Sequence, residues 1–221
     1  MSFDNSWEKT YSENNHMSIW PWSDLVSYVM RYAKPKSNSF KVLELGCGAG
    51  ANIEFFKRLD CDYYGIDGSK FIISNLKHKF PELKNNLIAG DFTEDLYFNN
   101  AFDLIIDRAS VTHNTTDSIF NCLKLINNKL NKNGKFIGID WFSTMHSDYK
   151  LGFKVKDKYT INNFQKGQFI GVGNVHFSNK KHLIDLLSSF KIIILEHKII
   201  KKEVPDDKHI FASWNLVAEK I

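Results

Sequence analysis

The sequence predicts a doubly wound α/β domain: a mostly parallel sheet of seven strands, helices on both faces, and an antiparallel strand pair at the C-terminal end. Three observations carry this. Short apolar runs alternate with segments of helical period through much of the chain. A glycine turn over residues 46–50 follows directly on the first of those runs. The last two runs are joined by a loop of about fifteen residues with no helix, and such a connection favours antiparallel pairing. At 221 residues the chain fits a single domain of this kind.

Taken in order, residues 1–20 read as irregular or loosely helical. Over 23–32, Leu25, Tyr28, Val29 and Tyr32 share one helical face, with Ser23 or Asp24 available as N-cap. The breaker stretch KPKSNS precedes a buried strand at 40–45, and helical spacing resumes through Ile53 and Phe56. Strands are expected at 62–67 and 87–89, with a helix at 69–79 between them. The run FDLIID at 102–107 is almost wholly apolar, as a parallel strand covered on both faces must be. Ile119, Cys122, Leu123, Ile126 and Leu130 then line one face of a helix, which Asn133-Gly134 is expected to stop before a strand at 135–141. Residues 142–177 are polar, contain glycine and show no strong period. A helix marked by Leu183, Leu186, Leu187 and Phe190 leads to the last two strands, at 192–195 and 211–218.

Composition narrows the function. Hydrophobic residues make up 43%, enough for a real core. The excess of 29 basic over 25 acidic residues leaves only +4, with no block of like charge, so nothing points to nucleic acid. Even Lys198, Lys201 and Lys202 sit beside Glu196 and Glu203. Cys47, Cys61 and Cys122 are odd in number and lack metal-ligand spacing, so neither a disulfide framework nor a metal is expected. The polar N-terminus has no signal-peptide pattern, and no apolar run approaches the ~20 residues that span a bilayer, which together suggest a cytoplasmic protein.

The strongest motif is Val42-Leu43-Glu44-Leu45-Gly46-Cys47-Gly48-Ala49-Gly50. Glycines there let the chain turn sharply out of a strand and let a ligand approach bare backbone. The spacing Gly46-x-Gly48-x-x-Ala51 also satisfies a dinucleotide fingerprint, so a nicotinamide oxidoreductase competes at this point. Glu44 adds an E-x-G-x-G pattern, Asp67 closes the second strand in YYGID, and Asp91 follows the third in AGDF. A carboxylate in the place of Asp67 can accept two hydrogen bonds from ribose hydroxyls, and Asp91 or the Phe92 amide can read an adenine edge.

In this order VLELGCGAG, GID, GDF, FDLIID and LNKNGKFIGID resemble the successive motifs of class I S-adenosylmethionine-dependent methyltransferases, from about residue 40 to 141. The resemblance implies a Rossmann-like fold ending in an antiparallel hairpin, with S-adenosyl-L-methionine as cofactor. It also implies roles. Gly46, Cys47 and Gly48 pass close to the methionine portion, and Glu44 helps hold that region. Asp67 binds the ribose, with Gly68 and Ser69 beside it, and Asp91 and Phe92 border the adenine. Asp107, Arg108 and Ala109 end the fourth strand beside the sulfonium, so the Arg108 guanidinium is expected to turn away or pair with a carboxylate. The N-terminal region, 1–33, is expected to form a helical lid, with Tyr11 near the cofactor carboxylate and Trp20 and Trp22 near the substrate. A cofactor-binding protein without catalysis is the third reading.

Methyl transfer from a sulfonium needs alignment and exclusion of water, and a base only where the nucleophile must lose a proton. His113, in the loop after the fourth strand, is the first candidate for that base, and His176, in GNVHF, the second. His16, His78, His182, His197 and His209 default to structural roles. His146 and Tyr149 are expected to line a substrate pocket formed by the lid and the 142–177 insertion, which also carries Phe153, Tyr159, Phe164 and Phe169. After the fourth strand stands Asp107-Arg-Ala-Ser, where methylases of base or glutamine amino groups resemble one another in a Pro-Pro turn. A small-molecule acceptor, such as a sugar or secondary-metabolite precursor, is therefore expected. O- and N-methylation and the oligomeric state stay open.

Overall fold

The computed structural model describes residues 4, 6–15, 17–35, 38–155 and 157–221. In chain order the elements are α1 (Ser6–Ser12), α2 (Ser23–Tyr28), β1 (Lys41–Leu45), α3 (Ile53–Arg58), β2 (Asp62–Asp67), α4 (Lys70–Lys79), β3 (Leu87–Ala89), β4 (Phe102–Arg108), α5 (Thr116–Lys129), β5 (Leu130–Phe142), β6 (Phe153–Lys154), β7 (Thr160–Asn162), β8 (Val175–His176), α6 (Lys180–Leu186), β9 (Phe190–Lys201) and β10 (Ile210–Lys220). The main sheet runs β3-β2-β1-β4-β5-β10-β9. Its first five strands are parallel, and β10 pairs antiparallel with both β5 and β9, as the helix-free connection requires.

The sheet divides two cores. Helices α5 and α6 cover one face through Ile119, Leu123, Ile126, Leu183 and Leu186. Helices α2, α3 and α4 cover the other through Leu25, Phe56, Ile72 and Leu76. Successive residues of β4 feed opposite cores, Leu104 one and Ile105 the other, which is why the run contains so little polar sequence. Local signals start the helices: Ser69 accepts the Ile72 N–H at the head of α4, and Asn179 accepts the His182 N–H at the head of α6.

Two expectations need correction. Asn133-Gly134 does not stop a helix: α5 ends at Lys129, and Leu130 already pairs with Phe102 in β5. Asn133, at φ 61°, and Gly134 instead form a kink where the β4–β5 register shifts. The insertion is not a featureless loop either. Strands β6, β7 and β8 form a separate three-stranded antiparallel sheet. Over it lies a small core of Phe142, Ile161, Phe164, Phe169, Val175 and Phe177. Those aromatics meet across turns, so no period in the sequence announced them. Among the described residues no helix is long and apolar enough to cross a membrane.

Candidate functional site

The parallel strands end in a cavity of about 380 Å³, which falls where ligands settle in open α/β sheets. At the end of β1 the chain turns back at Gly46 (φ 66°), where both the Gly46 and Cys47 N–H groups donate to the Ile66 carbonyl at 2.8 and 3.0 Å. A Cβ at Gly46 would fall 2.1 Å from Ser110 Oγ, so the turn is pressed against the loop that follows β4. Gly48 (φ 48°) faces the Tyr11 hydroxyl, which would lie 3.2 Å from an added Cβ. Helix α1 thereby sets the buried Tyr11 against the glycine turn, and Glu8 ties α1 to α4 by accepting the Phe71 N–H at 3.1 Å.

Three buried carboxylates stand around this turn. Asp67, ending β2, accepts the Ser69 N–H on Oδ1 and the Gly48 N–H on Oδ2, both at 2.9 Å. Burial outweighs those two donors and holds its pKa up at about 6. Glu44 accepts Asn52 Nδ2 at 2.7 Å and the Tyr63 hydroxyl at 2.6 Å, and burial pushes it up to about 7. Asp107 accepts Trp141 Nε1 at 2.7 Å and the Ser110 and Val111 N–H groups at 2.9 and 3.0 Å; burial raises it to about 7 as well. A cation brought among these groups stabilises their ionised forms.

Most of the expected ligand residues line one cavity: Tyr11, Glu44, Gly46, Cys47, Gly48, Asp67, Gly68, Asp91, Phe92, Arg108, Ala109 and His113, with Trp22 at its edge. Ser69 stands just behind, as the cap of α4 and a donor to Asp67. Asp91 turns Oδ1 toward its own loop, accepting the Thr93 N–H and hydroxyl. Arg108 turns toward Asp140, with Nη2 3.2 Å from Oδ2, and its Cζ lies 3.7 Å from the centroid of the Trp22 ring. Ala109 (φ 59°), a left-handed non-glycine residue, then bends the chain into the turn carrying His113. The His113 Nδ1 meets the Asn174 carbonyl at 3.1 Å, and the ring packs edge-on against Trp7 at 5.0 Å. A carbonyl only accepts, so Nδ1 is the donor in this contact.

Four expected residues stand elsewhere. His176 is wholly buried in β8, with Nε2 3.1 Å from His182 Nε2 and Nδ1 3.3 Å from Thr160 Oγ1. Burial pushes its pKa down to about 3, and it does not reach the cavity. His146 packs among Phe169, Phe177 and Phe211 in the insertion's core, and its Nδ1 accepts the Asp148 N–H at 3.0 Å. Tyr149 packs on Phe177 and donates its hydroxyl to the Lys158 carbonyl. Trp20 is 76% exposed and outside the cavity wall. In each case side chains of the insertion or solvent hold the residue away from the strand ends. His16 lies outside the described residues.

Sequence reasoning missed Trp7, Met17, Ser110 and Asn52, all in the cavity wall. Asn52 is the most telling. It is 2% exposed, its Nδ2 is committed to Glu44, and its Oδ1 is buried with no partner among the described residues. A polar residue at the head of the otherwise apolar face of α3 was the available signal.

Residues 42–134 match the family model described as a methyltransferase domain. No curated protein matches the sequence. Among solved structures, the chain is similar to an S-adenosylmethionine-dependent methyltransferase of Methanosarcina mazei, with a TM-score of 0.66 at 15% identity over 91% of this chain and 99% of that one. It is also similar to the 1,6-didemethyltoxoflavin-N1-methyltransferase of Burkholderia thailandensis, solved with bound 1,6-didemethyltoxoflavin and S-adenosylhomocysteine (TM-score 0.66, 15% identity, 98% and 84% covered). A third is the magnesium protoporphyrin IX methyltransferase of Synechocystis, solved with bound S-adenosylmethionine (TM-score 0.57, 13% identity, 90% and 77% covered).

Proposed function

From the premise that the chain is a class I S-adenosylmethionine-dependent methyltransferase, we propose that it methylates an oxygen or nitrogen of a small molecule, such as a sugar or a secondary-metabolite precursor, with His113 as general base. S-adenosylmethionine, when bound, supplies an electrophilic methyl group on a cationic sulfonium. The residues present fit it. The orphaned Asn52 Oδ1 is an acceptor in the cavity wall awaiting a donor such as an ammonium. The carboxylates of Asp67, Glu44 and Asp107 give the pocket the negative character that a cation requires.

Under this reading Asp67 binds the ribose hydroxyls, Asp91 and Phe92 border the adenine, and Gly46–Gly48 backbone and Asn52 hold the methionine portion. Tyr11 and Trp7 on α1 close over it, so that 1–33 acts as a lid, and 142–177 covers the acceptor side. Arg108 would stand on the sulfonium side of the cavity, where its pairing with Asp140 offsets its charge. The observation that supports the base assignment is the place of His113 in the cavity wall, with its Nδ1 3.1 Å from the Asn174 carbonyl, a contact that orients the ring. The 1,6-didemethyltoxoflavin bound in the Burkholderia structure supports a small-molecule acceptor here. A cytoplasmic location and a small-molecule acceptor, with no membrane or nucleic-acid partner, belong to the same proposal; among the described residues no helix is long and apolar enough to cross a membrane.

The test is transfer of isotopically labelled methyl from S-adenosylmethionine to a panel of small alcohols and amines. Transfer that collapses in His113→Ala, with cofactor affinity retained, supports the reading. Transfer unaffected by that substitution removes His113 from the mechanism.

A further inference from the structure

A second cavity, of about 290 Å³, adjoins the first and shares Trp22 with it. Its walls are apolar at Trp22, Ile200 and Phe211 and ionic at Asp24, Asp140 and Lys198. The Lys198 ammonium reaches Asp24 Oδ2 at 2.7 Å and Asp140 Oδ1 at 2.9 Å, while Arg108 holds the other Asp140 oxygen at 3.2 Å. Ser213 donates its hydroxyl to Asp140 Oδ1, and Asn215 donates to Asp24 Oδ2 at 3.4 Å. Asp140 is built into place at a cost. It adopts φ 57°, a left-handed conformation unusual for a non-glycine residue, opposite a register shift between Trp214 and Leu216. That bulge aims the carboxylate at the strand ends, beside the cofactor cavity. Arg108 lines the first cavity and not the second, and its Nε is buried without a partner among the described residues.

We propose that this second cavity binds an uncharged, polyhydroxylated ring of the methyl acceptor. The inference rests on the methyltransferase reading and extends it to substrate class. Two carboxylates face two cations here, so their formal charges cancel. An anionic group entering meets Asp24 and Asp140, and a cationic group meets Lys198; either leaves a like charge poorly solvated. A purely apolar group strips water from four ionised side chains and returns no hydrogen bonds. Hydroxyls both donate and accept, so a ring bearing several of them can serve carboxylate and ammonium together. The ring's C–H faces then lie against Trp22 and Phe211.

The probe is myo-inositol and methyl α-glucopyranoside, compared with cyclohexanecarboxylate and cyclohexylammonium. Each is added at millimolar concentration to the full chain saturated with S-adenosylhomocysteine and read by saturation-transfer NMR. The neutral polyols should bind and the charged rings should not. Ile200→Trp, which fills the cavity from an exposed strand position, should weaken polyol binding at least about tenfold, as should Lys198→Met. S-adenosylhomocysteine affinity, measured on the same samples, reports that fold and cofactor cavity persist. Failure to bind S-adenosylhomocysteine at all counts against the methyltransferase reading. With that ligand bound, three results overturn the present proposal: no polyol binding, preference for a charged ring, or polyol binding that survives both substitutions.

Discussion

Asp67 Oδ2 accepts the Gly48 backbone N–H at 2.9 Å, so one carboxylate at the end of β2 clamps the glycine turn at the end of β1. Under the proposed roles, the ribose ligand and the backbone cradle for the methionine portion are one hydrogen-bonded unit. Replacing Asp67 with Ala removes a ligand acceptor and loosens the turn together. S-adenosylhomocysteine affinity should fall by at least about tenfold, measured by calorimetric titration.

Gly46→Ala tests the turn itself. At φ 66° an alanine is strained, and its Cβ would overlap Ser110 Oγ. Chemical denaturation should show a loss of about 2–4 kcal/mol, the sum of backbone strain and overpacking. Pairing it with Ser110→Gly should recover the part due to overlap and leave the part due to φ.

Cofactor binding should tighten as pH rises. Glu44, Asp67 and Asp107 have pKa values raised to between about 6 and 7 in the unliganded protein, and a bound cation favours their ionised forms. Binding therefore releases protons below about pH 7, and affinity should increase up to about tenfold from pH 5.5 to 8. The unliganded fold responds in the opposite sense. Because these groups bind protons more tightly folded than unfolded, their contribution to stability is fully present below about pH 4 and is lost progressively as pH rises from there through about 6 to 7. Thermal melts with and without S-adenosylhomocysteine should diverge across that window.

How much of this was legible in the sequence depended on whether a residue's role is local. The strands carrying Glu44, Asp67 and Asp107, and the turn at Gly46 to Gly48, announce themselves through alternation and short-range spacing. Their convergence follows from the parallel topology. His146, Tyr149 and His176 were legible only as polar or aromatic residues in an aperiodic segment. Their partners lie in a short turn (Asp148), just past β8 (Phe177) and on α6 (His182), segments too short or too far apart in sequence to leave a period. The Asp24–Lys198–Asp140 cluster joins residues 174 positions apart, a distance no local pattern spans.

His176 should matter for stability and not for chemistry. Its folded pKa is depressed, so its contribution is complete above the unfolded value of about 6.5 and is lost as pH falls toward about 3. His176→Asn should cost about 1–3 kcal/mol at neutral pH and flatten the acid limb of the stability curve. Turnover measured where the variant is folded should stay within about twofold.

His113→Ala should lower kcat by about 100- to 10,000-fold for an acceptor that must lose a proton, with S-adenosylhomocysteine affinity little changed. For an acceptor already neutral and nucleophilic the loss should shrink toward that of mispositioning alone. Comparing a hydroxyl with an amine acceptor at matched pH separates these cases.

Calorimetric titration of the purified chain with S-adenosylhomocysteine, run beside NADH, tests the central claim most directly. Micromolar binding to S-adenosylhomocysteine, none to NADH, and loss in Asp67→Ala is the predicted result. Binding of NADH in its place would contradict the account and return the glycine turn to a dinucleotide enzyme.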